Sequence, residues 1–137
     1  MKLAYPAIFK PFSDGQEGYV VEFPDLPGCV TEGFSMAEAL FMAEDAASGW
    51  ILGELEDGNP VPAASDIKDL KAPEAGFVSM VALDMDTYAE RYGKKAVKKN
   101  LTIPAWMNTF VEDNGISCSE VLQGALNHLY AEKQHIA

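Results

Sequence analysis

Residues 96–125, AVKKNLTIPAWMNTFVEDNGISCSEVLQGA, decide how the C-terminal part of the chain folds. The opening alternates. Val97, Leu101 and Ile103 fall on one side of an extended strand, and Lys98, Asn100 and Thr102 on the other. Pro104 closes the strand and suits the first turn of a helix, because its φ is already helical and the N–H it lacks would have no partner there. The run AWMNTFVEDN clusters Trp106, Met107, Phe110 and Val111 at helical spacing, and Gly115 suits a left-handed C-cap. Ser117 and Glu120 have the S-x-x-E spacing of a capping box and begin a second, longer helix.

A lone strand leaves its ladder groups unpaired, and no second strand pattern follows Pro104. A unit of about 40 residues also falls below the roughly 70–80 at which a core usually holds without a staple or an oligomer. Two-fold pairing of this strand with its copy in a second chain resolves both difficulties. It predicts an antiparallel ribbon over a dimer core of Val97, Leu101, Ile103, Trp106, Phe110, Val121 and Leu122. The other face of the ribbon presents Lys98, Asn100 and Thr102 twice over, and a two-stranded ribbon fits the major groove of DNA.

The pattern K-N-L-T-I-P, a short helix, then N-G-I-S-x-S-E-V-L-Q-G-A-L resembles the ribbon-helix-helix fold of bacterial and phage repressors. That resemblance implies base-reading positions at Lys98, Asn100 and Thr102. It also implies a phosphate anchor at the amides around Ser117, Cys118 and Ser119, a place where helix N-termini bind anions on physical grounds. Lys99 leans to the inner side by alternation and is directed at a phosphate. A dimerisation element without DNA contact is the alternative these residues leave open.

Charge divides the chain in the same place. Of 137 residues, 48% are hydrophobic and 23% charged, an ordinary globular balance, and the net charge is −11. Residues 1–90 carry four lysines against 17 acidic residues, a balance of −13, whereas residues 91–137 carry six basic and four acidic residues, a balance of +2. Arg91, Lys94, Lys95, Lys98 and Lys99 all fall just before or within the proposed strand. An acidic body with a basic strand entrance predicts two partners of opposite sign. No apolar h-region follows Lys2, and no run approaches transmembrane length, so the chain reads as cytoplasmic. Cys29 and Cys118 make neither a metal spacing nor a disulfide framework, and each reads as a small buried hydrophobe.

In the N-terminal part, KLAYPAIFK (2–10) reads as a strand with Leu3, Tyr5, Ala7 and Phe9 on one face and Pro6 marking an edge or bulge. YVVEF (19–23) and CVTEGF (29–34) follow as further strands of a meander, separated by SDGQEG and PDLPG turns. Ser35 and Glu38 repeat the capping box and start a helix to about Leu55, with Leu40, Ala43, Ala47, Trp50 and Ile51 on one face. After a proline-bearing connector at 57–76, FVSMVALDM (77–85) is apolar enough for an interior strand, and DTYAERYGKK bridges to the C-terminal part. The order β-β-β-α-β predicts an α+β layer with one helix on one face of a sheet.

The run P-D-L-P-G-C, then T-x-G, then S-x-x-E-A at Phe23–Ala39 resembles the N-terminal domain of HicB-type antitoxins, with Phe34 standing where the family has an acidic or polar residue. The resemblance implies a partial RNase H-like domain at 1–90 that binds and blocks a HicA-type, mRNA-cleaving ribonuclease toxin. It also implies a dimerising DNA-binding domain at 96–137 that represses its own operon, with further pairing of dimers into tetramers left open. A stand-alone repressor with no toxin partner is the alternative. An acidic domain of −13 is electrostatically matched to an RNA-binding partner, which carries a basic surface.

Catalytic residues are not evident. His128 and His135 lack an adjacent cysteine or a carboxylate at ligand-like spacing and read as surface residues. Asp84 and Asp86 share a face by alternation, and a metal-dependent nuclease would need more carboxylates converging on them. They read as polar strand-end residues, so the chain reads as a binder with no cofactor and no metal.

Overall fold

The computed structural model describes residues 1–136, with side chains through Gln134. The element order is β1 (Lys2–Pro11), β2 (Tyr19–Glu22), β3 (Val30–Gly33), α1 (Met36–Glu56), a 3₁₀ turn (Ile67–Asp69), β4 (Phe77–Asp84), α2 (Met85–Tyr92), α3 (Ala105–Asp113) and α4 (Cys118–Ile136). It is an α+β chain that divides into two compact units, Met1–Ala96 and Val97–Ala137.

In the N-terminal unit the four strands form one sheet in the order β3-β2-β1-β4, with every neighbouring pair antiparallel. The period-2 pattern places Tyr5, Ala7 and Phe9 inside, opposite Val81 and Phe77, while Val21 extends the same inner face on β2. Helix α1 covers that face. Its buried positions are Ala39, Ala43, Ala47, Ser48, Ile51 and Leu52. The helix begins as its sequence predicts: the amide of Glu38 donates to Ser35 Oγ at 3.0 Å.

Three expectations are corrected here. Leu40 is not on the core face but 40% exposed, because α1 approaches the sheet so closely that the alanines one turn apart make the contact. Gly33 permits that approach, since a Cβ at this position would strike the backbone of Ala39. The strand at 77–85 is an edge and not an interior strand, and it ends at Asp84. Its apolar character reflects Val81 and Leu83 under α1 and Val78, half-buried, on the other face. Conversely β1, which carries Pro6, is interior in the sheet order. Pro6 pairs with Met80 at a level where β2, which reaches only to Ile8, offers no ladder, so its missing N–H forfeits no strand bond.

The segment after β4 is also more regular than a bridge. Met85–Tyr92 is the helix α2, whose amide at Thr87 donates to Asp84 Oδ1 at 3.3 Å and whose Met85 is buried. The connector at 57–76 is tied down as well. Tyr5 Oη donates to the Pro62 carbonyl at 2.6 Å, and Ser65 donates to Asp25 through both its amide (2.8 Å) and its hydroxyl (2.6 Å).

In the C-terminal unit, α3 and α4 are joined by a Schellman turn. Gly115 takes φ +59, Ile116 donates to the Val111 carbonyl at 2.9 Å, and Gly115 donates to the Glu112 carbonyl at 3.4 Å. Pro104 is the N-cap of α3 and not its first residue, with the amides of Met107 and Asn108 donating to its carbonyl. The amide of Glu120 donates to Ser117 Oγ at 3.3 Å, so the predicted cap opens α4.

Leu26, inside the PDLPG turn, is completely buried. Leu26→Ala should therefore destabilise the N-terminal unit by about 2–5 kcal/mol, read as a lowered urea midpoint at unchanged slope.

Candidate functional site

The segment between α2 and α3 holds the predicted base-reading residues. Lys98, Lys99, Asn100 and Thr102 are all exposed in a run, 95–104, that belongs to no helix and pairs with no strand among the described residues. The strand expected at 97–103 is thus not formed by the single chain. A ladder needs a second strand, and none of the described strands lies in this unit.

The apolar positions of the unit are equally uncovered. Val97 is 83% exposed and Trp106 68%, with Leu101, Ile103, Phe110 and Val121 also exposed, while Leu122 is half-buried. From Val97 to Gln134 no residue is buried. Cys118, read from the sequence as buried, is exposed at the start of α4 for the same reason, whereas Cys29 is buried and its thiol is pushed up by that burial. Ser117 and Ser119 flank Cys118 and are exposed, and the Ser117 hydroxyl is engaged in capping. His128 lies on the surface as its sequence context predicts, with Nε2 3.1 Å from Glu132 one turn on. The His135 side chain lies outside the described residues.

In the N-terminal unit the motif residues hold the loop that shapes the fold. The Phe23 amide donates to the Cys29 carbonyl (3.1 Å) and the Cys29 amide to the Leu26 carbonyl (2.9 Å), while Gly28 sits at φ +81 where a side chain would be strained. Trp50 Nε1 donates to the Pro27 carbonyl at 3.1 Å and locks the loop to α1. Phe23, Leu26 and Cys29 are buried while Pro24, Pro27 and Gly28 are exposed, so the loop is anchored by its apolar side chains.

Asp84 and Asp86 do not act as a pair. Asp84 caps α2, and the Thr87 amide is the main cause holding its carboxyl below the usual aspartate range, with Lys2 and the N-terminus adding smaller pulls. Asp86 instead accepts from the N-terminal ammonium at 2.6 Å. Among the described residues no group of three or more His, Cys, Asp or Glu side chains is arranged to hold a metal ion.

With this geometry in view, the comparison with known proteins is decisive. The model of the HicB-like antitoxin of bacterial toxin–antitoxin systems matches residues 5–125. The chain belongs to that family. An uncharacterized 14.9 kDa protein from the rep–hol intergenic region of Haemophilus phage HP1 is 35% identical over 104 residues, covering 75% of this chain and 74% of the phage protein. Antitoxin HicB 1 of Photorhabdus laumondii subsp. laumondii is 34% identical over 104 residues, covering 71% of this chain and 66% of that antitoxin. A toxin–antitoxin complex from Streptococcus pneumoniae contains a chain that superposes with a TM-score of 0.74 at 28% identity, covering 93% of this chain and 99% of the other. The crystal structure of antitoxin HicB3 matches with a TM-score of 0.50 at 29% identity, over 88% and 93% of the two chains. In this HicB-type antitoxin no described helix is long and apolar enough to cross a membrane.

The lowered value of Asp84 has a definite sign. A carboxyl whose folded pKa lies below its unfolded one stabilises fully above the unfolded value and loses that contribution as pH falls through the folded one. Asp84→Asn, which can still cap α2, should therefore be less stable than the parent at neutral pH. The difference should shrink in thermal melts as pH drops below the ordinary aspartate range.

Proposed function

We propose that this HicB-type antitoxin acts through both of its units. The N-terminal unit binds and neutralises a HicA-type, mRNA-cleaving ribonuclease toxin. The C-terminal unit dimerises as a ribbon-helix-helix and represses its own operon by binding operator DNA in the cytoplasm, without catalysis, cofactor or metal. The N-terminal sheet, with its order β3-β2-β1-β4 and one covering helix, supports relating that unit to a partial RNase H-like layer.

One observation carries the dimer. A unit rich in Val97, Leu101, Ile103, Trp106, Phe110 and Val121 contains no buried residue from Val97 to Gln134. Burying an aliphatic or aromatic side chain of this size is worth about 1.5–3 kcal/mol, so leaving them all in water is a large standing penalty that a second copy removes. In the paired state the segment from Val97 to Ile103 gains its ladder, and alternation turns Lys98, Asn100 and Thr102 to the opposite face. Asn100 then reaches an adenine edge, the amides near Ser117 and Ser119 meet a phosphate, and Lys99 neutralises another. Pairing of such dimers through their N-terminal units would extend the assembly to a tetramer.

Partner charge supports the division of labour. The 1–90 region, at −13, repels nucleic acid and attracts a basic RNA-binding toxin, whereas Arg91, Lys94, Lys95, Lys98 and Lys99 gather at the DNA-facing segment.

Co-expression with a HicA-type toxin that arrests growth should rescue growth and yield a stable complex. Sedimentation should show the full chain as a dimer or a multiple of it, and a folded monomer with this segment intact would refute the ribbon. In gel shifts Asn100→Ala should lose about 1–3 kcal/mol of discrimination between operator and scrambled duplexes. Lys99→Ala should weaken both alike and lower the slope of log K against log salt by roughly one.

A further inference from the structure

The N-terminal half of α1 exposes an apolar strip that the fold does not use. Phe41 is 72% exposed, and Met36 and Leu40 are 43% and 40% exposed. Met36 and Leu40, and Ala37 and Phe41, are one helical turn apart, so the four side chains form one surface beside the buried line of Ala39, Ala43 and Ala47. Phe34, also exposed, stands just before the Ser35 cap with its ring centroid 5.4 Å from that of Phe12. Soluble domains rarely leave contiguous large apolar side chains in water without a partner for them.

Charge selects the occupant. Helix α1 contains Glu38, Glu44, Asp45, Glu54 and Glu56 and not one lysine or arginine. Glu38, Glu44 and Asp45 are exposed around the strip, and none of them forms an ion pair among the described residues. A second copy would bring two such carboxylate sets together, and a nucleic acid would be repelled outright. A basic protein is matched on both counts: its cations meet the carboxylate rim, while an apolar recess receives Phe41 at the centre. Resting on the antitoxin reading above, we propose that the strip Met36–Ala37–Leu40–Phe41, rimmed by Glu38, Glu44 and Asp45, is the surface on which the basic ribonuclease toxin seats.

Phe41 points to solvent, so replacing it does not open the core. The full chain carrying Phe41→Asp should bind the cognate toxin, prepared in catalytically inactive form, at least tenfold more weakly than the parent. Its thermal midpoint and its operator gel shift should stay unchanged. Glu44→Lys should slow association and flatten its dependence on salt. Val30→Asp, at an exposed apolar position on the other face of the sheet, should leave toxin affinity as it was. If the parent binds the toxin and Phe41→Asp binds it as tightly, the strip is not the seat, although the antitoxin reading stands. If the parent itself does not bind, that reading fails and takes the strip with it. If Phe41→Asp changes only the sedimentation of the free chain, the strip covers a second copy and the proposal is overturned.

Discussion

Everything in the N-terminal unit depends on how closely the backbone of α1 lies against the sheet. Ala39, Ala43 and Ala47, one turn apart and fully buried, offer almost no side chain to hold the helix away. Gly33 removes the one Cβ that would block its first turn. Close-packed interiors leave few voids, so this short distance determines which residues can be inside. Tyr5, Phe9, Val21 and Leu83 fill the layer, and Ile51 and Leu52 close its far end. Larger residues on the flank of the helix are left outside. The tight seat that makes the core is therefore also what exposes Leu40 and Phe41.

The C-terminal unit presents the opposite balance. Its local rules are all met: a proline cap, a Schellman turn at Gly115 and a serine cap on α4. What it lacks within one chain is burial. Helices of nine and 19 residues cannot enclose their own apolar faces, and the segment before them has no ladder partner among the described residues. Local geometry is thus encoded within this unit, while its packing is proposed to come from a second copy. The cluster of five bases straddles the boundary between the units, with Arg91, Lys94 and Lys95 at the end of the acidic N-terminal unit and Lys98 and Lys99 at the start of the C-terminal one.

Much of this was legible in the chain. The meander, both serine-capped helices, the glycine turn and the inward line of Tyr5, Ala7 and Phe9 follow from patterns a few residues long, and the structure contains them. The departures share a cause. Pro6 suggests an edge and the apolar run at 77–85 an interior strand, yet β1 is interior and β4 is the edge, because sheet order depends on pairings between distant segments. Helix α2 was also present as a signal: Met85, Tyr88, Ala89 and Tyr92 keep helical spacing behind Asp84, a capping residue. Its eight residues are short enough to pass for a bridge. The candidate DNA-facing residues could be named from alternation alone, whereas the apolar strip on α1 could not, since Leu40 looks like core by size.

By itself the sequence determined the local elements, their caps and turns, the division of charge, and the motif that marks the family. Each of these depends on neighbours within a turn or two along the chain, where the backbone geometry is set by residue type. Only the tertiary structure decided the sheet order, the identity of the helix face that is buried, the separate duties of Asp84 and Asp86, and the apolar surface left in water. These depend on how closely two distant pieces of backbone approach, and at Gly33 and Ala39 that distance is governed by side chains that are missing or minimal.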